Sequence, residues 1–243
     1  VRRSVNRASH ILADSEATKT DLIELYSTPA DKITVLYAGV GPSFPPVRAP
    51  EQLAAVRRRY GIGNAPFIFS ISTLQPRKNY CRLIEAFDIA LGKTDYMLVL
   101  AGNKGWLHKE IFDEVRRRNL KNKVLFTGFV DDVDLPALYS AAEVMAYPSL
   151  YEGFGLPVVE SMACGTPVLA STAPCLPEIA GNAAFLVNPY DVKAIADGLK
   201  RLTQDTLLRS NLVLEGFARA RQFNWEESAS KLLGVYRNLG HGP

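Results

Sequence analysis

Along the chain, short apolar runs are separated by longer segments in which apolar positions recur every three or four residues. Runs such as "FIFSIS" and "YMLVLAG" are continuous rather than alternating, as expected of strands covered on both faces. On this pattern strands are predicted at Phe67–Thr73, Tyr96–Gly102, Lys123–Phe129, Val144–Pro148, Pro167–Ser171 and Ala183–Val187. Helices are predicted between them at Tyr80–Leu91, Leu107–Arg118, Leu135–Ala142, Leu156–Cys164 and Asp191–Thr203, with Thr206–Arg221 and Trp225–Leu239 closing the chain. In the first of these helices Tyr80, Leu83, Ile84, Phe87 and Leu91 share one face. The alternation predicts an α/β fold with an open, doubly wound parallel sheet. Upstream, "ASHILADS" reads as a short strand and "EATKTDLIELYS" as a helix capped by Ser15 or Asp14 and stopped by Pro29. "KITVLYAGV" reads as another strand, and the proline- and glycine-rich Gly39–Pro50 as a linker. The organisation expected is a segment 1–40, a linker 41–50, a main domain 51–222 and a closing helix 223–243.

Composition changes this picture little. Hydrophobic residues make up 47% and charged residues 22% of the 243 positions, ordinary for a chain that buries a sizeable core. A formal net charge of +3 gives no argument for nucleic acid and is compatible with anionic small ligands or a loose association with acidic membrane surfaces. Cys81, Cys164 and Cys175 have neither metal-ligand spacing nor an even count for disulfides, which favours a reducing compartment. The opening "VRRSVNRASHILADS" shows neither an initiator methionine nor a signal peptide, and a fragment of a longer protein is the expectation.

In a doubly wound sheet ligands bind outside the carboxyl ends of the strands. That points to three loops, Leu74–Asn79, Gly128–Asp134 and Ser149–Gly155. The first places Arg77 and Lys78 ahead of a helix N-terminus, where cations oppose the helix dipole unless an anion sits between them; a solvated basic turn explains the pair about as well. In the third, Gly153 and Gly155 allow a tight turn, and the amides of Gly153, Phe154, Gly155 and Leu156 can face an anion or sugar hydroxyls. Pro157 suits the first helical turn, Gly165 its end. Glu152 opens the loop and Glu160 lies in the helix beyond it. A carboxylate accepts two hydroxyl donors at once, which is what a vicinal diol offers. The triple arginines Arg57–Arg59 and Arg116–Arg118 read as solvated helix faces. "GIGNAP" precedes a strand and is not a dinucleotide fingerprint. His10, His108 and His241 are isolated, and His108 reads as a surface residue at a helix start.

The segment "YPSLYEGFGLPVVESMACGTPVLAS", with Glu152 and Glu160 in "EGFGLPVVE", resembles the signature of the retaining glycosyltransferases of family four, which have the GT-B fold. "STLQPRKN" is similar to that family's phosphate loop and "VLFTGFVDDVDLPALYSAA" to its base-binding strand and following helix. "DSEATKTDLIELY…KITVLYAGV" resembles the last unit of its N-terminal domain and "FNWEESASKLLGVYRNL" its closing helix. The resemblance implies a nucleotide-sugar-dependent hexosyltransferase of two Rossmann-like domains, of which this chain is the donor-binding half with a remnant of the acceptor half. By that resemblance Arg77 and Lys78 hold the donor diphosphate and Glu160 accepts from the ribose. Glu152 and the amides of Gly153–Leu156 hold the transferred sugar and adjacent phosphate, and Phe129 and Val130 lie against the base. Thr73 stands where many members have an arginine, and Arg77 is a candidate for the missing charge.

The resemblance further implies retention of configuration with no bound metal and no cofactor beyond the donor. It implies a cytoplasmic enzyme, peripheral at the membrane face, with the other domain as partner, and an isolated half that binds donor without transferring sugar. An exposed strand edge in the N-terminal segment raises a homodimer as a further expectation. The alternatives are a sugar-nucleotide epimerase on the same fold and a non-catalytic nucleotide-sugar-binding module.

Overall fold

The computed structural model describes residues 1–240; residues 241–243, including His241, lie outside the described residues. A short helix α1 (Arg2–Arg7) leads into β1 (Ile11–Ala13), helix α2 (Glu16–Tyr26) and β2 (Ile33–Val35). The two strands pair in parallel, Ile11 opposite Ile33, and are shorter than their apolar runs suggest. Ser15 is the α2 N-cap, its side chain accepting from the Thr18 amide. The helix ends at Ser27, in the left-handed conformation, before Pro29 is reached.

An irregular stretch runs from Leu36 to Ala49, so the linker starts earlier than expected and Pro50 already opens α3 (Pro50–Arg59), after which comes the main alternation. It runs β3 (Phe67–Ile71), α4 (Tyr80–Leu91), β4 (Met97–Ala101), α5 (Lys109–Arg117), β5 (Val124–Gly128), α6 (Leu135–Ala141), β6 (Val144–Tyr147), α7 (Leu156–Ala163), β7 (Val168–Ser171), α8 (Cys175–Ala180), β8 (Ala184–Val187) and α9 (Val192–Gln204). Helices α10 (Thr206–Ala220) and α11 (Trp225–Gly240) complete the described chain. The six strands form one parallel sheet in the order β5-β4-β3-β6-β7-β8. The chain therefore winds outward from β3 in one direction and restarts at β6 in the other. The reversal falls between β3 and β6, where a doubly wound sheet opens its ligand crevice.

The continuous apolar runs are explained by two cores. Phe67, Phe69, Val99, Met145, Tyr147, Val168 and Ala170 point to one face, against α6, α7 and α8. Ile68, Leu98, Leu100, Val144, Ala146 and Leu169 point to the other, against α4, α5 and α9. The α4 stripe of Tyr80, Leu83, Ile84, Phe87 and Leu91 is fully buried there, as its spacing predicts. Among the described residues no helix is long and apolar enough to cross a membrane.

Two arginines correct the expectation of solvated faces. Arg57 donates to the carbonyls of Gly63, Ala65 and Ala141 and lies over the Phe67 ring. Arg118 is largely buried and pairs with Glu85, Asp88 and Glu114, tying α5 to α4. Both act as struts between elements, which a local pattern of charge does not reveal. The helix expected from Leu107 starts at Lys109, because Leu107 takes a positive φ of 52°. Helices α1 and α8 are too short to carry a periodic signal and were not anticipated.

Candidate functional site

The β3–α4 and β6–α7 loops meet at the reversal point. Gln75 precedes a single 3-10 turn, Pro76–Lys78, and Asn79 follows it with φ of 63°. That conformation lets Asn79 cap nothing yet tie three loops together. Its Nδ2 donates to the carbonyls of Pro148 (2.9 Å) and Pro189 (2.7 Å), and its Oδ1 accepts from Arg82. The Leu150 amide also donates to the Arg77 carbonyl at 2.9 Å. The backbone thus fixes the two loops against each other before any charged side chain is considered.

Glu152 stands at the centre. It is 6% exposed, and its Oε1 accepts from Lys78 Nζ at 2.6 Å while its Oε2 accepts from Arg77 at 2.8 Å. Lys78 is 9% exposed and also donates to the Tyr147 hydroxyl at 2.8 Å. Arg77 reaches further out and donates to the Tyr151 carbonyl. Burial pushes the Glu152 carboxyl up, but Lys78 and then Arg77 outweigh it and hold it below the usual carboxylate range. Burial lowers the Lys78 ammonium, and Glu152 restores only part of that. Two cations share one carboxylate, so the cluster keeps one positive charge in excess at the strand ends.

Beyond Glu152 the chain turns through Gly153 to Gly155. Gly155 is the α7 N-cap with φ of 101°, which calls for glycine, and a Cβ there would lie 2.6 Å from Leu176 Cδ2 and push that buried side chain aside. Pro157 sits in the first turn of α7, and Gly165 ends it at φ of 76°. Phe154 is buried and packs edge-on against Phe223, with ring centroids 5.5 Å apart. Leu156 is exposed at the helix start.

Glu160 lies in the fifth position of α7. Its Oε2 accepts from the Tyr139 hydroxyl at 2.7 Å, a partner the sequence pattern did not announce. Burial raises its pKa, Tyr139 opposes this, and Asp132 adds to it. A carboxyl raised in the folded state favours its protonated form. Its contribution to stability is full below the ordinary carboxylate pKa and is lost as pH rises through the raised value. Glu160→Gln is therefore expected to be more stable than wild type at neutral pH, because the amide buries no charge while its carbonyl still accepts from Tyr139. The gap should close below about pH 4; urea titrations at several pH values measure it.

At the end of β5 the Phe129 ring is 63% exposed, while the Val130 side chain is packed into the core. Thr73 is exposed at the end of β3, with its Cγ2 2.7 Å from where a Cβ on Gly105 would be. The "VDDVD" segment is held by Asp134, which accepts from Arg59 and Tyr60. His108 precedes α5 and its ring contacts the Gly105 carbonyl. The structure therefore brings Arg77, Lys78, Glu152 and the Gly153–Leu156 turn together at the crevice. Glu160 lies on α7 behind that turn, Thr73 lies just past β3, and Phe129 lies just past β5, with β4 between those two strands. Asn79, Tyr147 and Tyr139 join the site without having been anticipated; only the asparagine next to a strand-to-helix turn gave a local signal, as a residue tolerant of positive φ.

A model of the family described as glycosyl transferases group 1 matches residues 54–219. The chain is 34% identical over 241 residues to O-antigen chain mannosyltransferase B of Escherichia coli, covering 98% of this chain and 63% of that protein. It is 30% identical over 223 residues to O-antigen chain mannosyltransferase RfbU of Salmonella typhimurium, covering 87% of this chain and 56% of that one. The chain thus spans about three fifths of these curated relatives. Among solved structures, Anabaena HepE in complex with UDP and glucose superposes with a TM-score of 0.88 at 26% identity, over 98% of this chain and 66% of that one. The architecture is the Rossmann-like C-terminal half of a GT-B glycosyltransferase. With its family model matched across the sheet and both loops of the crevice, this chain belongs to the group 1 glycosyl transferases.

Proposed function

We propose that this chain forms the donor half of a retaining, metal-independent hexosyltransferase and binds a nucleotide-diphosphate sugar at the β3/β6 crevice. The observation that carries this is the buried cluster of Arg77, Lys78 and Glu152 at the point where strand order reverses. Its excess positive charge and the amides at the α7 N-terminus suit a diphosphate. HepE, a structural relative, holds UDP and glucose, and the mannosyltransferase relatives support a hexose as the transferred group.

In this reading Arg77 and Lys78 receive the charge that gathers on the leaving diphosphate, fixed in place before reaction, so that no divalent ion is needed there. Glu152 orients both cations and lies next to the amides that receive the sugar. Glu160 offers its Oε1 to the ribose, since Oε2 is occupied by Tyr139. Phe129 and the backbone around Val130 border the base, and Thr73 borders the phosphates. Residues 1–40 belong to the acceptor lobe, and 223–240 close the donor lobe against it.

A calorimetric panel of UDP-glucose, GDP-mannose and ADP-glucose tests the reading. One of them should bind and stabilise the fold, by about 2.7 kcal/mol at a hundredfold excess over Kd. Glu160→Gln should weaken binding of the matching ribonucleotide more than of its 2′,3′-dideoxy analogue. If none of the three binds, the donor assignment is lost.

A further inference from the structure

The short helix α8 has no part in the proposed donor contacts, yet it carries a half-buried carboxylate with an unusual set of partners. Glu178 reaches across to the N-terminal segment. Its Oε1 accepts from the Glu16 amide and from the Tyr37 hydroxyl, both at 2.8 Å, and its Oε2 accepts from the Ala17 amide at 3.1 Å. Glu16 and Ala17 open α2, so Glu178 satisfies two of the amides that a helix start leaves without partners. The side chain that caps them lies more than 160 residues further along the chain.

The same helix holds the glycine turn from below. Leu176 occupies the space that a Cβ on Gly155 would need, and Cys175 Sγ donates to the Phe154 carbonyl at 3.3 Å. Tyr37, fixed by Glu178, packs on Phe154 with centroids 6.1 Å apart. From above, the start of α2 closes on the turn. Thr18 Oγ1 donates to Asp14 at 2.7 Å and lies 3.4 Å from the Gly153 carbonyl; Asp14 Oδ2 is 2.5 Å from where a Gly153 Cβ would be. Tyr151 donates to Asp21 on the next turn of α2. Arg219 anchors α8 itself through the carbonyls of Glu178 and Ile179.

We infer that Glu178 is a positioning residue: by capping α2 and fixing Tyr37, it clasps the N-terminal segment onto the Gly153–Gly155 turn and sets the turn's amides for the donor's sugar-phosphate end. The inference rests on the donor reading only for what the turn receives; the clasp itself is a property of this chain. It assigns a role to a glutamate outside the two-glutamate signature, and it makes the donor turn depend on a contact between lobes.

The test uses the full chain, with Glu178→Ala, Glu178→Gln and Thr18→Val. Glu178→Ala should speed hydrogen exchange at the Glu16 and Ala17 amides by about five- to tenfold, the scale of losing a helix cap. It should also lower the amide order parameters of Gly153–Gly155 from the rigid range near 0.85 toward about 0.6. Glu178→Gln keeps one carbonyl acceptor and should lie between. Thr18→Val should loosen the turn while leaving Glu178 in place, which keeps the inference testable if Glu178→Ala does not fold. With whichever of UDP-glucose, GDP-mannose or ADP-glucose the wild type binds, Glu178→Ala should weaken the intact sugar nucleotide about three- to tenfold, the size of one net hydrogen bond. Affinity for the matching nucleoside monophosphate should not change. Faster exchange at Glu16 and Ala17 with an unchanged glycine turn would reduce Glu178 to a helix cap and overturn the inference. Equal loss for sugar nucleotide and monophosphate would overturn it too. If the wild type binds none of the three sugars the donor reading fails, while the order parameters still decide whether the clasp exists.

Discussion

Replacing Arg77 and Lys78 together by alanine is expected to lower affinity for a nucleoside diphosphate by two to four powers of ten, while the nucleoside itself binds almost as before. The estimate follows from two charge-assisted contacts of about 1.5–3 kcal/mol each. Both side chains converge on Glu152 from a loop whose backbone is bonded to the facing loop, so they are placed before a ligand arrives and little ordering is needed on binding. The ladder of nucleoside, monophosphate and diphosphate, measured by calorimetry, separates a phosphate contact from a base contact. Arg77→Ala alone is the safer variant, because its side chain is 38% exposed and its loss leaves Glu152 paired with Lys78. Equal affinity of wild type and both variants for the diphosphate would remove these residues from the donor site.

The second large effect is on stability. Lys78→Met leaves Glu152 buried with Arg77 as its only remaining cation, and the cost should approach, from below, the roughly 3–5 kcal/mol of a buried charge stripped of every partner. Adding Glu152→Leu should recover much of that loss, because the carboxylate, left with only the partly exposed Arg77, is then gone and Arg77 can turn to solvent. Such a double-mutant cycle, read by urea denaturation, should give a coupling well outside the additivity of distant sites, which is about 0.3–0.5 kcal/mol. The sign with pH is fixed as well. Glu152 is held below the usual carboxylate range in the folded state. Its contribution to stability is therefore present above the ordinary carboxylate pKa and is lost as pH falls through the depressed value. The advantage of wild type over the double variant should shrink in acid. Simple additivity of Lys78→Met and Glu152→Leu would show that the cluster is not a coupled unit.

The sequence by itself determined the main sheet, the longer helices around it and the crevice loops, but not the short α8. The inner strands β4, β3, β6 and β7 are nearly continuous apolar runs because both their faces are buried, and the α4 stripe has the helical period because one face meets the sheet. These are local patterns, and chain order alone places the Arg77–Lys78 and Glu152–Gly155 loops at strand ends. The sequence did not decide that Glu152 would bind both cations, since that needs two loops more than seventy residues apart to meet at the sheet's reversal point. Nor did it decide the fate of identical residue types. Arg57 and Arg118 became partly buried struts while Arg58 and Arg116 stayed in solvent, because burial depends on which neighbouring carbonyls and carboxylates fold against each side chain. The partners of Asn79, the Tyr139 bond to Glu160 and the Glu178 cap on α2 belong to the same class. Local periodicity fixes which face of an element is apolar. Only the packed tertiary structure fixes which polar groups are left inside together and must pair, because an unsatisfied polar group in the interior costs more than the fold can spare.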